Sequence, residues 1–503
     1  MIDKIIISTL GLVSLGTVCA KAEKRPNVIF IFADDMTYDC MGSLTKDKLY
    51  TPNLDHLREN GMYFTHAFNQ GGWHGAISVA SRSMLVTGRY LWKAKDIVSD
   101  QQKTKQVDLN QPLYWPQYMK LAGYTTYMTG KWHVSVDAQK VFDVTRHIRG
   151  GMPAQTPEGY AYSEKNPKGR KFVEGYQDEW QPYEVEYGGH WMGGKHWSEV
   201  VADDAVDYIN MATEKDDPFF MYLAFNAPHD PRQSPKRFVD LYPLENISVP
   251  DNMLPSYPYC EEIGCGKGLR DEQLAPFPRT EYSVKVNRQE YYAIISHMDE
   301  QIGRILDALK KSGKYNDTYI IFAADNGLSV GDHGFMGKQN MYDASMRVPL
   351  IISGPDVKKG KCDDLVYLQD AMATALDMAD SEYIDAVDFH SLLPLLGDKQ
   401  NHAKDLCCQD AVYGAYMNLQ RMYRTDRYKM ILYPKINKVR LFDLKRDPEE
   451  RKDVAENEKY RKVMNDLFNR LQKMQKQIGD PLDLQGCYES FVGEHVKLEV
   501  PNK

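Results

Sequence analysis

Five apolar runs along the chain share one grammar. Each is short, continuous rather than alternating, and stops abruptly at polar or turn-forming residues. NVIFIFADD ends in Asp34 and Asp35, YTTYMTGKWH in Lys131 and His133, and PFFMYLAFNAPHD in His229 and Asp230. TYIIFAADNG ends in Asp325 and Asn326, and VPLIISGP in Gly354 and Pro355. Continuous apolar runs predict strands covered on both faces, as in a parallel sheet. Between them lie helical patterns such as RQEYYAIISHMDEQIGRILDALKKSG, apolar at three-to-four spacing, with Gly313 placed to stop it. Strands alternating with helices predict an α/β fold: a large, doubly wound, mainly parallel sheet sandwiched by helices. Ligands of such sheets bind beyond the carboxyl ends of the strands. Four of the five runs carry chemistry there.

From about Asp410 the pattern changes. AVYGAYM, QRMYRTDRYKMILYP and KVRLFDLKRDPEERKDVA read as consecutive antiparallel strands, with the helical EKYRKVMNDLFNRLQKMQKQIG behind them. This predicts a smaller C-terminal α+β subdomain over 406–503, following a large α/β domain over 23–405. Residues 140–200 and 240–285, rich in Gly, Pro, Tyr and charge, are too long for simple connections and read as functional loops around the site.

Composition narrows the function. The chain has 503 residues, 43% hydrophobic and 26% charged, with a net charge of −8 that disfavours nucleic acid as a partner. Its first residues, MIDKIIISTLGLVSLGTVCAKAEKRPN, read as a secretory signal peptide over 1–22, cleaved after Ala22. The apolar core is short for a span, and Val18 is a poor neighbour for lipoprotein anchoring at Cys19. The expectation is a periplasmic or secreted protein with no transmembrane segment after cleavage. Seven cysteines then remain, of which Cys260 and Cys265 could close a short loop in an oxidising compartment.

Asp34, Asp35, Asp325 and Asn326 supply three carboxylates and an amide oxygen, a donor set suited to a hard divalent cation, Ca²⁺ or Mg²⁺. Singly, each pair could simply cap a turn; two pairs after two buried strands favour a metal site. Arg82, Lys131, His133, His229 and Lys338 around that cation would make an anion pocket suited to a tetrahedral oxyanion ester. His229 is placed to protonate a leaving alcohol. Ser78 stands where the helix of SVASRSMLVTG begins and offers unpaired N–H groups, yet plain serine is a weak nucleophile without a base.

SVASRSMLVTGR resembles the signature of the type I sulfatases of the alkaline phosphatase superfamily, C/S-x-P/A-S-R followed by a helix and T-G-R. PNVIFIFADD, TPNLDHLRENGMYFTHAF, TGKWH, APHDP, AADNG…GDHGFMGKQNMYDASMRVPLIISGP and KVRLFDLKRDPEERKDVA match further family segments in order. The resemblance implies that Ser78 is oxidised to formylglycine, whose hydrate attacks sulfur. It implies that Asp34, Asp35, Asp325, Asn326 and modified Ser78 hold the cation, usually calcium. Arg82 and His133 would activate the modified residue. Lys131, His229 and Lys338 would grip the sulfate, with His229 as proton donor. Serine rather than cysteine at position 78 implies an anaerobic radical-type maturase acting before export; Ala80 stands where proline is commoner.

The motifs are silent about the alcohol. The chain resembles secreted bacterial carbohydrate sulfatases, which implies a sulfated glycan: a glycosaminoglycan or mucin-type sugar, such as sulfated galactose or N-acetylgalactosamine, or a uronate 2-O-sulfate. Trp73, His74, His196, Trp197 and Arg270 are candidates for sugar recognition, with the YGGHWMGGKHWS loop (His190, Trp191) as an aromatic platform and Arg232 and Arg279 as further anion readers. Two alternatives remain: a phosphate or phosphonate ester hydrolase of the same superfamily, and an unmatured, glycan-binding pseudo-sulfatase.

Overall fold

The computed structural model describes residues 25–104, 113–153, 160–162, 169–382, 384–397 and 407–497. The expected signal peptide, its cleavage site and Cys19 lie outside these residues, as does the stretch around the 405/406 boundary. No helix among the described residues is long and apolar enough to cross a membrane.

The main sheet is built from β1 (Asn27–Ala33), β2 (Met62–Phe68), β4 (Thr125–Lys131), β5 (Val144–Arg149), β6 (Phe219–Ala224), β7 (Thr318–Ala324), β8 (Arg347–Val348), β9 (Leu350–Ser353) and β10 (Gly360–Tyr367). Its order is β10-β2-β9-β7-β1-β6-β4-β5, with β8 paired to β2. The four central pairings among β7, β1, β6, β4 and β5 are parallel, and every residue of β1 and β6 is buried. That double-sided burial is what their uninterrupted apolarity reports.

VPLIISGP departs from expectation in direction. As β9 it runs antiparallel to both β7 and β2. Apolarity measures burial on two faces, and carries no information about which way the neighbour runs. The region 140–200 is also less irregular than its composition implies, since it contributes β5 and the start of a helix, Trp197–Thr213.

The second sheet comprises β11 (Val412–Tyr416), β12 (Gln420–Arg424), β13 (Tyr428–Tyr433) and β14 (Lys438–Asp443), paired antiparallel as expected. It gains a strand from far upstream: β3 (Gly71–Gly72) pairs parallel with Ala415 and Tyr416 of β11. Gly71 has φ +83°, and a Cβ there would meet the Ala415 carbonyl oxygen at 2.1 Å, so only glycine fits. Ala80 and Met84, on the helix that follows, share a hydrophobic cluster with Tyr413, Leu441, Phe468 and Leu471 of the C-terminal part. The segment leading to Ser78 is thus clamped against the second sheet.

Cys260 and Cys265 do not form a bridge. Their turn closes through the backbone, Cys265 N–H donating to the Cys260 carbonyl at 2.8 Å, while the Cys265 thiol turns inward to the Gln339 carbonyl at 2.9 Å.

Candidate active site

Strands β1 and β7 are adjacent and in register at Ala33 and Ala324, so Asp34-Asp35 and Asp325-Asn326 emerge side by side. The backbone knits the two ends together: Asp325 N–H donates to the Ala33 carbonyl at 3.2 Å, and Asp35 N–H to Asp325 Oδ1 at 3.0 Å. Asp35 adopts φ +67°, which turns the chain sharply after β1. The long helix Glu281–Lys311 holds this turn, because Tyr291 Oη donates to the Asp35 carbonyl at 2.7 Å and accepts from Thr37 N–H at 3.0 Å.

Carboxylate oxygens of Asp34, Asp35 and Asp325 lie within 4.8 Å of one another, fully buried. Asn326 donates through Nδ2 to Asp35 Oδ1 at 2.8 Å and to the Gly327 carbonyl at 2.9 Å, while its buried Oδ1 has no donor. A buried acceptor without a donor, beside three converging carboxylates, fits a hard divalent cation.

Around the carboxylates stand cationic groups. Lys131, the last residue of β4, contacts Asp34, and Lys338 Nζ donates to both oxygens of Asp35 at 2.5 Å. Ser78 is the second residue of the helix Ile77–Thr87, and its Oγ donates to Asp34 Oδ1 at 3.3 Å. Arg82, one helical turn on and so on the same face, donates through Nε to Asp325 Oδ2 at 2.9 Å and through Nη1 to the Lys131 carbonyl at 2.7 Å. Its buried Nη2 has no hydrogen-bond partner and lies 3.7 Å from Asp34 Oδ1. Three carboxylates thus face Arg82, Lys131 and Lys338, and with these three charged a bound divalent ion would leave the cluster net positive, which suits an anionic ester.

Burial pushes the Asp34 carboxyl up, reinforced by Asp325 and opposed by Lys131 and Arg82. Burial acts on Asp325 in the same sense, but Arg82, Lys131 and Lys338 outweigh it and hold that carboxyl below its usual range. Burial also lowers Lys131. His133 is pushed down to about 3 by burial and then by Lys131 and Arg82, so it is neutral, and its Nδ1 has no partner. His229 lies well below its ordinary range, chiefly through burial. Its Nδ1 lies 2.8 Å from the Asp230 carbonyl and 3.2 Å from Asp230 Oδ1; both are acceptors, so Nδ1 carries a proton and Nε2 faces Asp35 Oδ2 at 3.5 Å.

A family model described as Sulfatase matches residues 26–381, and one described as N-sulphoglucosamine sulphohydrolase, C-terminal, matches residues 331–477. The chain belongs to the sulfatase family. It is 26% identical over 481 residues to an arylsulfatase of Clostridium perfringens, covering 88% of this chain and 93% of that protein. It is 24% identical over 550 residues to an N-acetylglucosamine-6-O-sulfatase of Bacteroides thetaiotaomicron, covering 94% and 90%. A solved structure described as a complex with its substrate D-glucosamine-2-N,6-O-disulfate has a TM-score of 0.67 at 21% identity, over 91% of this chain and 99% of that one. This sulfatase is therefore a sulfuric ester hydrolase with the mixed α/β architecture of its relatives.

The expected sugar-reading residues divide. His190, His196, Trp191 and Trp197 are all buried. His196 caps its helix by accepting from Ser198 N–H at 3.1 Å, and His190 stacks on it at 5.1 Å while its Nε2 lies 3.2 Å from the His229 carbonyl oxygen. Arg149 covers the Trp197 ring at 3.9 Å. These faces are spent on packing behind His229, so the His and Trp rings of YGGHWMGGKHWS do not form an exposed platform, although residues 192–195 between them are exposed. Arg279 is likewise buried, tied to Glu272 and to the carbonyls of Gly334 and Ala275, and Arg232 is buried on Asn287 Oδ1 at 2.6 Å. Composition alone does not distinguish a loop that covers the site from one that packs under it.

Trp73, His74 and Arg270 keep partial exposure. Arg270 bridges Asp230 and Asp271, and Gln339 Nε2 donates to Asp271 Oδ2 at 2.8 Å and to the Gly75 carbonyl at 3.1 Å. Tyr160 Oη donates to Asp230 Oδ2 at 2.7 Å. Of this group only Asp230 stood out in the sequence, as a residue at the end of an apolar run; Tyr160, Asp271 and Gln339 did not. For Gln339 the available signal was its adjacency to Lys338.

Proposed function

We propose that this sulfatase hydrolyses a sulfate monoester on a carbohydrate, of the glycosaminoglycan or mucin type, such as sulfated galactose, N-acetylgalactosamine or a uronate 2-O-sulfate. The observation that carries the reading is the meeting of Ser78, the three carboxylates, Asn326, Arg82, Lys131, His229 and Lys338 at the ends of neighbouring strands. Asp34, Asp35, Asp325, Asn326 and residue 78 would hold the cation, Ca²⁺ or alternatively Mg²⁺. With Ser78 converted to formylglycine, the hydrated aldehyde would supply the nucleophile, and a cation held by these residues would offset the negative charge of the ester.

The chain's own groups do the rest. Lys131 and Lys338 grip the non-bridging oxygens, and their buried setting strengthens that attraction. Arg82 and neutral His133 hold the attacking group in place. The anionic ester at His229 Nε2 favours the imidazolium, which then hands its proton to the departing sugar oxygen. Trp73, His74 and Arg270 stand where the sugar would lie. On this reading residues 23–405 form the catalytic unit, and the 406–503 subdomain buttresses Gly71-Gly72 ahead of Ser78. An exported chain, periplasmic or secreted after loss of residues 1–22, would meet its anaerobic radical-type maturase before export.

The test is peptide mass spectrometry across Ser78, on protein made with and without such a maturase, alongside turnover of sulfated sugars and of matched phosphate and phosphonate esters. Conversion of Ser78 together with preferential sulfate release supports the reading. Faster phosphate or phosphonate turnover, or glycan binding without turnover by converted protein, overturns it.

A further inference from the structure

Away from the catalytic cluster, the structure brings two thiols of different parts of the chain together. Cys362 lies in β10, at an edge of the main sheet, and Cys408 directly precedes Gln409, whose N–H donates to the Leu365 carbonyl at 2.8 Å. The Sγ atoms of Cys362 and Cys408 and a carboxylate oxygen of Asp364 lie within 4.8 Å of one another. The register of β10 against β2 shifts between Cys362 and Leu365, an irregularity that re-aims side chains at this point. Cys408 opens on a surface groove of about 930 Å³ lined by Asp364, Asp410, Arg470 and Lys473. Its neighbour Cys407 is buried, and burial pushes that thiol up to about 11. The Cys362 thiol is lowered by its contact with Cys408.

We propose that Cys362 and Cys408 are a disulfide-forming pair that staples the edge of the main sheet to the start of the C-terminal sheet. The stapled stretch leads straight into β11, the strand that pairs with Gly71-Gly72 ahead of Ser78. The two sulfurs lie within 4.8 Å of each other, and the bond forms as they close to the S–S distance of about 2.05 Å. The oxidant is a disulfide, either a small-molecule disulfide or that of a thiol oxidoreductase. The Cys362 thiolate attacks one sulfur of that disulfide and displaces the other as a thiolate. The Cys408 thiolate then attacks the Cys362 sulfur of the mixed disulfide, forms the Cys362–Cys408 bond and releases the second oxidant thiolate. The two protein thiol protons end on the two released thiols, and the oxidant takes up both electrons. In the cell the link rests on the exported compartment proposed above.

The purified chain is equilibrated in glutathione redox buffers, quenched with an alkylating agent and digested without reduction. The expected product is a pair of linked peptides carrying Cys362 and Cys408, two mass units lighter than their sum. Fragmentation between residues 407 and 408 locates the bond. Cys407→Ser keeps the link and Cys408→Ser abolishes it. Reduction lowers the thermal midpoint of the wild type and of Cys407→Ser by about 5 °C, in line with a loop of this length. Alkylation of both thiols in the most oxidising buffer, a bond through Cys407, or a bound soft metal ion that holds both sulfurs and blocks oxidation would each overturn the proposal. Export is scored separately, from the mature N-terminus of secreted protein, so a retained leader does not count against the link.

Discussion

Asp230 embraces the neighbouring His229: its carbonyl oxygen lies 2.8 Å and its Oδ1 3.2 Å from Nδ1, and its carboxylate is anchored in turn by Tyr160 and Arg270. This arrangement fixes which ring nitrogen carries the proton and turns Nε2 toward the site. In the proposed mechanism Asp230 would position His229, the acid, rather than meet substrate. Asp230→Asn is expected to lower kcat on sugar sulfates by about 10- to 100-fold. Aryl sulfates, whose leaving groups need no proton, should lose less than about threefold. Equal losses on both substrate classes would remove the positioning role.

The unpaired Oδ1 of Asn326 should disappear as a feature when metal binds. Asn326→Ala is expected to weaken Ca²⁺ binding at least about tenfold, measured by calorimetry on the Ser78→Ala background so that turnover plays no part. Chelation should abolish sulfate release by matured protein, and added Ca²⁺ should restore it. Undiminished binding in Asn326→Ala would exclude this oxygen as a ligand.

Gly71 has no room for a side chain against the Ala415 carbonyl and sits at φ +83°. Gly71→Ala therefore costs about 2–4 kcal/mol, through strain and through displacement of β3 from β11. Thermal unfolding of the variant should show a midpoint several degrees lower. An unchanged midpoint would mean that the pairing does not clamp the segment before Ser78.

Asp370 accepts from Tyr367 N–H at 2.7 Å and from His390 N–H at 3.0 Å, and burial pushes its carboxyl up to about 7. The folded protein therefore holds a proton that the unfolded chain has released above about pH 4. That contribution is present below the unfolded value and is lost as pH rises through about 7. Asp370→Asn cannot lose it. The stability difference between variant and wild type should move toward the variant from pH 4.5 to 7.5, by at most about 1.4 kcal/mol per pH unit. Chemical denaturation at several pH values measures it, and a flat difference would contradict the assignment.

Trp197 lies under Arg149 and away from solvent. Trp197→Ala is expected to cost about 3–5 kcal/mol of stability while leaving the ranking of sugar substrates unchanged. A changed ranking in folded variant protein would return this residue to the sugar site.

Ser78, Asp34, Asp325 and Lys131 were legible because local rules place them. A strand buried on both faces must be apolar until it ends, so the first charged residues mark its carboxyl end, where α/β sheets bind ligands. Ser78 and Arg82, four residues apart, share one helix face whatever the surroundings.

The rest depended on what packs against what, and no local pattern carries that. An apolar strand does not announce the direction of its neighbour, so only the assembled sheet turned VPLIISGP antiparallel. A His-Trp loop has the same composition whether it faces a sugar or lies beneath the site, and the fold buried His196 and Trp197 behind His229. Residues 71 and 415, and 362 and 408, meet only because two sheets abut. The sequence by itself determined which chemistry the strand ends carry. Tertiary structure decided which side chains keep a face to solvent, because burial belongs to the whole set of neighbours rather than to any one stretch of chain.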